Sequence, residues 1–199
     1  MVACDYAGRA MNPTSLLRLN LGCGQNRLPG FVNVDKFGAP DVRCDLEVFP
    51  WPWPDNSVAA VVLNHVLEHL GASAATYIGI FQELYRVCAP GARIEIAVPH
   101  PRHDDFLNDP THVRAVTPDG LELFCQRKNR EWAAQGVANS PLGLYHGVNF
   151  EVADIHLGLD PRWLARLERG EVTEAALREA IRTHNNVVKE TRMTLVVVK

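Results

Sequence analysis

The stretch Leu19-Asn20-Leu21-Gly22-Cys23-Gly24 (LNLGCG), followed at residues 33 to 35 by Asn-Val-Asp (NVD), decides the reading of this chain. The apolar run from Leu16 to Leu21 breaks off at once into glycine, the mark of a short buried strand ending in a tight turn. Glycine lets the backbone pass close to a ligand because no Cβ stands in the way. Residues 31 to 34 (FVNV) make a second short strand, closed by Asp35. A carboxylate there is placed to accept hydrogen bonds from both hydroxyls of a ribose. For G-x-G alone, a turn with no ligand is the plain alternative.

Two nucleotide readings compete at this turn. The dinucleotide fingerprint requires G-x-G-x-x-G and an acid about 20 residues further on. Here Arg27 holds the place of the last glycine, and Asp35 comes only eleven residues after Gly24. With no room for a full helix between the strands, a pyrophosphate would lose the helix N-terminus that usually binds it. A ligand without phosphates fits the spacing better.

Working outward, residues 58 to 63 (VAAVVL) form a continuous apolar run, as in a strand buried on both faces of a parallel sheet. Residues 41 to 46 (DVRCDL) offer a further strand. Ser73 is a good N-cap, and Tyr77, Ile80, Phe81, Leu84 and Val87 recur at helical spacing, so an amphipathic helix is predicted over 74–88, stopped by Pro90 and Gly91. Residues 92 to 98 alternate and end at Pro99, which reads as another strand. Strand, helix and strand with short connections point to an open α/β sheet. In the second half, Thr117 and Pro118 open a helix to Phe124, and the polar stretch 126–146 reads as a loop-rich insert carrying Trp132 and Tyr145. Residues 148 to 157 alternate like a strand, Asp160-Pro161 opens one helix, and Thr173 caps another running to about His184. Residues 191 to 198 close the sheet, with at least one of the final strands antiparallel.

Composition bounds the function. The chain has 199 residues, is 47% hydrophobic and carries a formal net charge of -3, which suits one soluble domain. The mild acidity offers no electrostatic case for nucleic acid as a partner. Five cysteines (Cys4, Cys23, Cys44, Cys88, Cys125) are odd in number and never spaced C-x-x-C, so reduced thiols are expected rather than a disulfide framework or a structural zinc site. No segment approaches the ~18 apolar residues of a membrane span. Residues 1–15 lack the order of a signal peptide and read as a flexible leader ahead of a single domain over 16–199. A cytoplasmic location is the expectation.

Four stretches taken together carry a resemblance: LNLGCG, NVD, DLEVFPWPWPDNSV at 45–58, and LNHVLEHL at 63–70 followed by ELYRVCAPGARIEIAVP at 83–99. In their order and spacing the chain resembles the class I S-adenosylmethionine-dependent methyltransferases, in their small methyltransferase type 11-like form. The resemblance implies a Rossmann-like α/β fold, a doubly wound and mostly parallel sheet with a terminal antiparallel strand, and S-adenosyl-L-methionine as cofactor. It implies that Gly22, Cys23 and Gly24 line the methionine part of the cofactor. Asp35 would hold the ribose, Asp45 and Leu46 would meet the adenine, and Asn64 and His65 would sit under the sulfonium. Asn20 and Lys36, which flank the turn and the acid, complete the expected cofactor set. The chain departs from the pattern in two places. The first helix is shortened to a loop holding Pro29 and Gly30, and Val58 and Ala59 stand where the family often has an aromatic residue followed by aspartate.

The acceptor is the open part of the reading. Residues 99–146 are its candidate loops, with a small molecule or a glycan precursor as the expected acceptor. The stretch 99–118 holds His100, His103, Asp104, Asp105, Asp109 and His112. It leaves the carboxyl end of a strand, where doubly wound folds bind ligands, and reads as a substrate loop, a plain polar loop or a metal site. If the nucleophile needs a general base, histidine suits neutral pH, and the candidates are His100, then His103 and His65. Residues 65–69 (HVLEH) also match H-x-x-E-H, the inverted zinc-hydrolase motif. No third protein ligand is evident from the sequence, no metal is expected, and packing of Val66, Leu67 and Leu70 is the plainer reading. Trp51-Pro52-Trp53 either shields the adenine or packs a proline-rich turn. A non-catalytic cofactor-binding protein is the alternative from another class.

Overall fold

Alternation builds the first strand: Leu17, Leu19 and Leu21 are buried while Arg18 faces out. The computed structural model describes residues 16–199, so the leader read over 1–15 lies outside the described residues. In chain order come β1 (Leu17–Leu21), β2 (Val32–Asp35), β3 (Val42–Arg43), β4 (Val58–Asn64), α1 (Ala74–Val87) and β5 (Cys88–Pro99). Then follow α2 (Asp104–Leu107), α3 (Pro118–Glu122), α4 (Gln126–Ala134), α5 (Leu142–His146), β6 (Phe150–Leu159), α6 (Pro161–Glu168), α7 (Glu174–Thr183) and β7 (Val188–Val197). The sheet order is β3-β2-β1-β4-β5-β7-β6. Its first five strands are mutually parallel, and β7 runs antiparallel to both β5 and β6. This is the Rossmann-like, mostly parallel sheet with an antiparallel end that the sequence implied.

The helix α1 shows why the pattern was readable. The Ser73 hydroxyl accepts from the Thr76 N–H, and Ile80, Phe81, Leu84 and Val87 are all fully buried. Phe81 stacks on Phe124 at 4.2 Å between ring centroids and meets Phe150 edge-on at 5.7 Å. One face of α1 thus joins the sheet core to the second half of the chain.

The structure differs from the sequence reading in four places. The stretch 126–146 is not loop-rich, because it holds α4 and α5. Only Asn129 of α4 is buried, so the helix has no apolar stripe to announce it. Polar contacts hold it instead. The Cys125 thiol caps the Lys128 N–H, Arg127 pairs with Glu131, and the Asn129 amide bridges the Leu123 carbonyl and the Leu144 N–H. The strand expected over 41–46 shrinks to two residues, and β5 begins at Cys88, passing through Pro90 and Gly91. Cys23, Cys88 and Cys125 are free and buried, whereas Cys44 is disulfide-bonded. The expectation of reduced thiols fails there, since scattered spacing excludes a framework but not a single bridge.

The tryptophan-proline run is packed, not poised over a ligand. Trp51 and Trp53 are buried. Arg86 of α1 spends all five of its N–H donors on this segment and its anchor. Nη1 donates to the Trp53 carbonyl (2.9 Å) and to Asp55 (2.8 Å), and Nη2 donates to the Trp51 carbonyl (3.0 Å). Nε and Nη2 grip the Glu83 carboxylate at 2.8 and 2.7 Å. Glu83 in turn accepts the Trp51 N–H. Burial alone would raise the Glu83 pKa, but Arg86 and the Trp51 N–H outweigh it and hold the carboxyl below the ordinary glutamate value. A depressed folded value means that stability is present above the ordinary value and is lost as pH falls through the lowered one. Arg86→Ala should therefore cost about 2–3 kcal/mol at neutral pH in denaturant unfolding. Its acid-denaturation profile should also lose the Glu83 component seen in the unmodified chain.

Candidate active site

The site starts where β1 ends. Gly22 and Gly24 adopt φ of +66° and +50°, the left-handed region that favours glycine. At Gly22 the constraint is also steric, for a Cβ there would lie 2.4 Å from Cγ2 of Val66, in the turn after β4. At Gly24 a Cβ would meet nothing within 4 Å, so the space over the bend is open.

No helix forms between β1 and β2. Residues 22–31 are turns and irregular chain, as the loop read around Pro29 and Gly30. Two buried asparagines hold them. The Asn20 amide donates to the Asn26 carbonyl (2.8 Å) and to Asn33 Oδ1 (2.9 Å), which also accepts the Leu28 N–H (2.8 Å). The Asn33 amide and N–H both reach the Asp41 carboxylate at 2.9 Å, and Arg27 pairs with the same group. The Asn33 contacts, and then Arg27, keep Asp41 below the usual carboxylate range against a small opposing effect of burial. Asn20 thus serves chiefly to hold the loop.

Asp35 ties the bend to β2. Its Oδ2 accepts the Gly24 N–H and its Oδ1 the Phe37 N–H, both at 2.8 Å. Each oxygen keeps a further lone pair. Asp35 and Asp45 face one cavity of about 200 Å³, which Gly22, Lys36, Leu46 and His65 also line. Trp51 reaches it only indirectly, through an indole N–H donated to the Leu46 carbonyl. A wider groove of about 620 Å³ lies across the sheet under the helix-free loop. Asn20, Cys23, Gly24 and Asn64 line it, with Glu95 and Arg192 further along. The two spaces share Gly22 and His65.

His65 is held tightly. It is a non-glycine residue at φ +54°, a conformation that costs of order 1–3 kcal/mol and clusters at functional sites. Its Nε2 lies 2.7 Å from Glu190 of β7 and its Nδ1 3.4 Å from Glu68. Glu68 first and Glu190 second raise its pKa above the ordinary histidine value, against burial. The other two histidine candidates line neither space. His103 is buried, accepts the Asp105 N–H to cap α2, and stands 3.4 Å from Asp160. His100 is half-buried with its Nδ1 on the Arg102 N–H, and burial, Arg102 and His103 push its pKa down.

Sequence reasoning missed three contributors. Phe37, 69% exposed at the smaller cavity, stands two residues beyond Asp35, and that proximity was the available signal. Glu190 and Arg192 come from β7, and no local pattern ties them to β4.

With this geometry described, comparison with known proteins is informative. Residues 27–96 match the family model described as a methyltransferase domain. That match spans about a third of the chain, within the half that holds β1 to β5. The chain's fold is similar to that of a SAM-dependent methyltransferase from Archaeoglobus fulgidus, with a TM-score of 0.59 and 18% identity over 92% of this chain and 86% of that one. It is also similar to 1,6-didemethyltoxoflavin-N1-methyltransferase of Burkholderia thailandensis, solved with 1,6-didemethyltoxoflavin and S-adenosylhomocysteine. There the TM-score is 0.53, with 12% identity over 93% of this chain and 72% of that one. No curated protein sequence matches the chain. The residues present fit S-adenosyl-L-methionine, the cofactor the sequence resemblance implies: an open glycine bend stands beside a cavity faced by two carboxylates.

Gly22→Ala tests the bend. The added methyl meets Val66 and the left-handed backbone together, so the fold should lose about 1–3 kcal/mol of stability. Combining it with Val66→Ala should return part of the melting temperature. Equal melting of the Gly22→Ala variant and the unmodified chain would refute the packing argument.

Proposed function

We propose that this chain is a class I S-adenosylmethionine-dependent methyltransferase, which moves a methyl group from S-adenosyl-L-methionine to a small molecule or a glycan precursor. The observation that carries the reading is that Asp35 and Asp45 face one cavity beside the Gly22 bend. In this reading Asp35 accepts hydrogen bonds from the ribose hydroxyls, and Asp45 accepts one from the exocyclic amine of adenine, with Leu46 against its ring. Lys36 flanks the sugar. Gly22, Cys23 and Gly24 let the methionine part lie close to backbone, and Asn64 and His65 face the sulfonium end. When bound, the cofactor supplies an electrophilic methyl on a sulfonium. The protein's share is to bind and orient, which can lower a displacement barrier substantially.

His65 stands at the junction of both spaces with a carboxylate beside each ring nitrogen. The reading gives it an orienting role, and His100 and His103 take no part. The 620 Å³ groove lies within the range of small-molecule sites, with room beyond the methionine part for a modest acceptor. A net charge of -3 supports such an acceptor over a polyanion. The ordinary composition supports a cytoplasmic setting. Among the described residues no helix is long and apolar enough to cross a membrane.

Calorimetric titration with S-adenosylmethionine and S-adenosylhomocysteine should give one binding event per chain. Asp35→Ala should weaken it about 10- to 100-fold, the worth of hydrogen bonds to a charged group. A labelled-methyl screen over small molecules and glycan precursors should then find an acceptor. Absence of binding to the unmodified chain would end the proposal.

A further inference from the structure

The turn after β4 buries a carboxylate that receives no hydrogen bond and a single long ion pair. Glu68 is 1% exposed, and neither of its oxygens receives a hydrogen bond. His65 Nδ1 stands 3.4 Å from Oε1, and that ring is shared with Glu190 through the other nitrogen. Arg114 is turned elsewhere, onto the Tyr77 ring at 4.2 Å and the Gly71 carbonyl at 2.7 Å. An uncompensated buried carboxylate is costly, and a bound cation is one way to offset it.

Two imidazoles stand beside it. One ligand atom each from Glu68, His69 and His112 lies within 4.8 Å of the others. The hydrogen bonds around the rings assign their protons. His112 Nδ1 is 2.8 Å from the Phe106 carbonyl, which only accepts, so Nδ1 carries the hydrogen. The Thr111 hydroxyl gives its proton to Asp109 at 2.6 Å and so accepts from His69 Nδ1 at 2.9 Å. With the Nδ1 hydrogens so assigned, Nε2 is the nitrogen of each ring that could offer a lone pair to a metal, although Asp109 approaches His112 Nε2 at 3.8 Å. A ring N–H fixed by an oxygen acceptor is the outer-shell pattern that orients metal-bound histidine.

We propose that Glu68, His69 and His112 form a binding site for a divalent transition-metal ion of the zinc type. Two imidazoles and one carboxylate suit such an ion and leave a fourth position for water or a substrate oxygen. Tetrahedral bonds of about 2.1 Å need ligand atoms roughly 3.4 Å apart, so the side chains close inward by an ångström or so on binding. His69 also lines the smaller cavity, which puts the ion at its wall. The ligand set differs from the one H-x-x-E-H implied. His65 is turned to Glu190, and the third ligand comes from the loop after β5.

The test is calorimetric titration of zinc chloride into metal-free protein, with cobalt(II) absorption as a second readout of coordination geometry. One equivalent should bind, and cobalt should give the intense visible bands of a tetrahedral site. His112→Ala should weaken zinc binding at least 100-fold, while His184→Ala, an exposed histidine elsewhere, should not change it. Glu68→Gln keeps the shape but removes the charge. It should lose zinc as well, and the metal-free variant should melt above the unmodified metal-free chain. The proposal is overturned if the unmodified chain takes up no stoichiometric zinc, or if His112→Ala and His184→Ala bind it alike. No S-adenosylmethionine enters the titration, so its failure leaves the methyl-transfer reading standing.

Discussion

Two buried asparagines on neighbouring strands do the work that a helix does in most folds of this kind. Asn20 and Asn33 have almost no exposed surface, yet their amides are engaged with backbone groups, with Asp41 and with each other. A loop without secondary structure is ordinarily mobile, because its backbone groups exchange freely with water. Here the loop between β1 and β2 is pinned from below by side chains whose polar capacity is nearly used up. The glycine bend keeps its shape for that reason, and Asp35 can meet the Gly24 N–H.

A second set of ties couples the bend to the rest of the molecule. Val66 packs where a Gly22 side chain would be, and the Gly71 N–H reaches back to Glu47, which follows Asp45 and Leu46 in the chain. Arg86 and Glu83 lock the tryptophan-proline run that leads from β3 to β4. The cavities therefore sit where the carboxyl ends of β1, β2 and β4 converge, as expected for doubly wound sheets. Their walls are set by side-chain contacts between turns rather than by helix packing.

Much of this was legible in the residues. β1, β4, α1 and most of β5 followed from apolar runs and helical spacing, because each buries a face against the core. The family resemblance implied one ligand for Asp35 and Asp45, and both line one cavity. What could not be read divides by cause. α4 has a polar sequence held by Asn129 and charge pairs, so periodicity carried no signal. Glu190 meets His65 across 125 positions of chain, and His112 meets Glu68 and His69 across some forty, which only tertiary structure can show.

The order of the sheet also bears on how the protein is made. β6 has a single neighbour, β7, which is threaded between it and β5. As the ribosome delivers the chain, β6 emerges before its native partner, and it must wait while α6, α7 and then β7 are synthesised. During that interval β5 presents an open, apolar-flanked edge, a template for unwanted pairing. Glu190 arrives on the same late strand, so the nascent domain cannot secure the imidazole at position 65 until the whole sheet has zipped up.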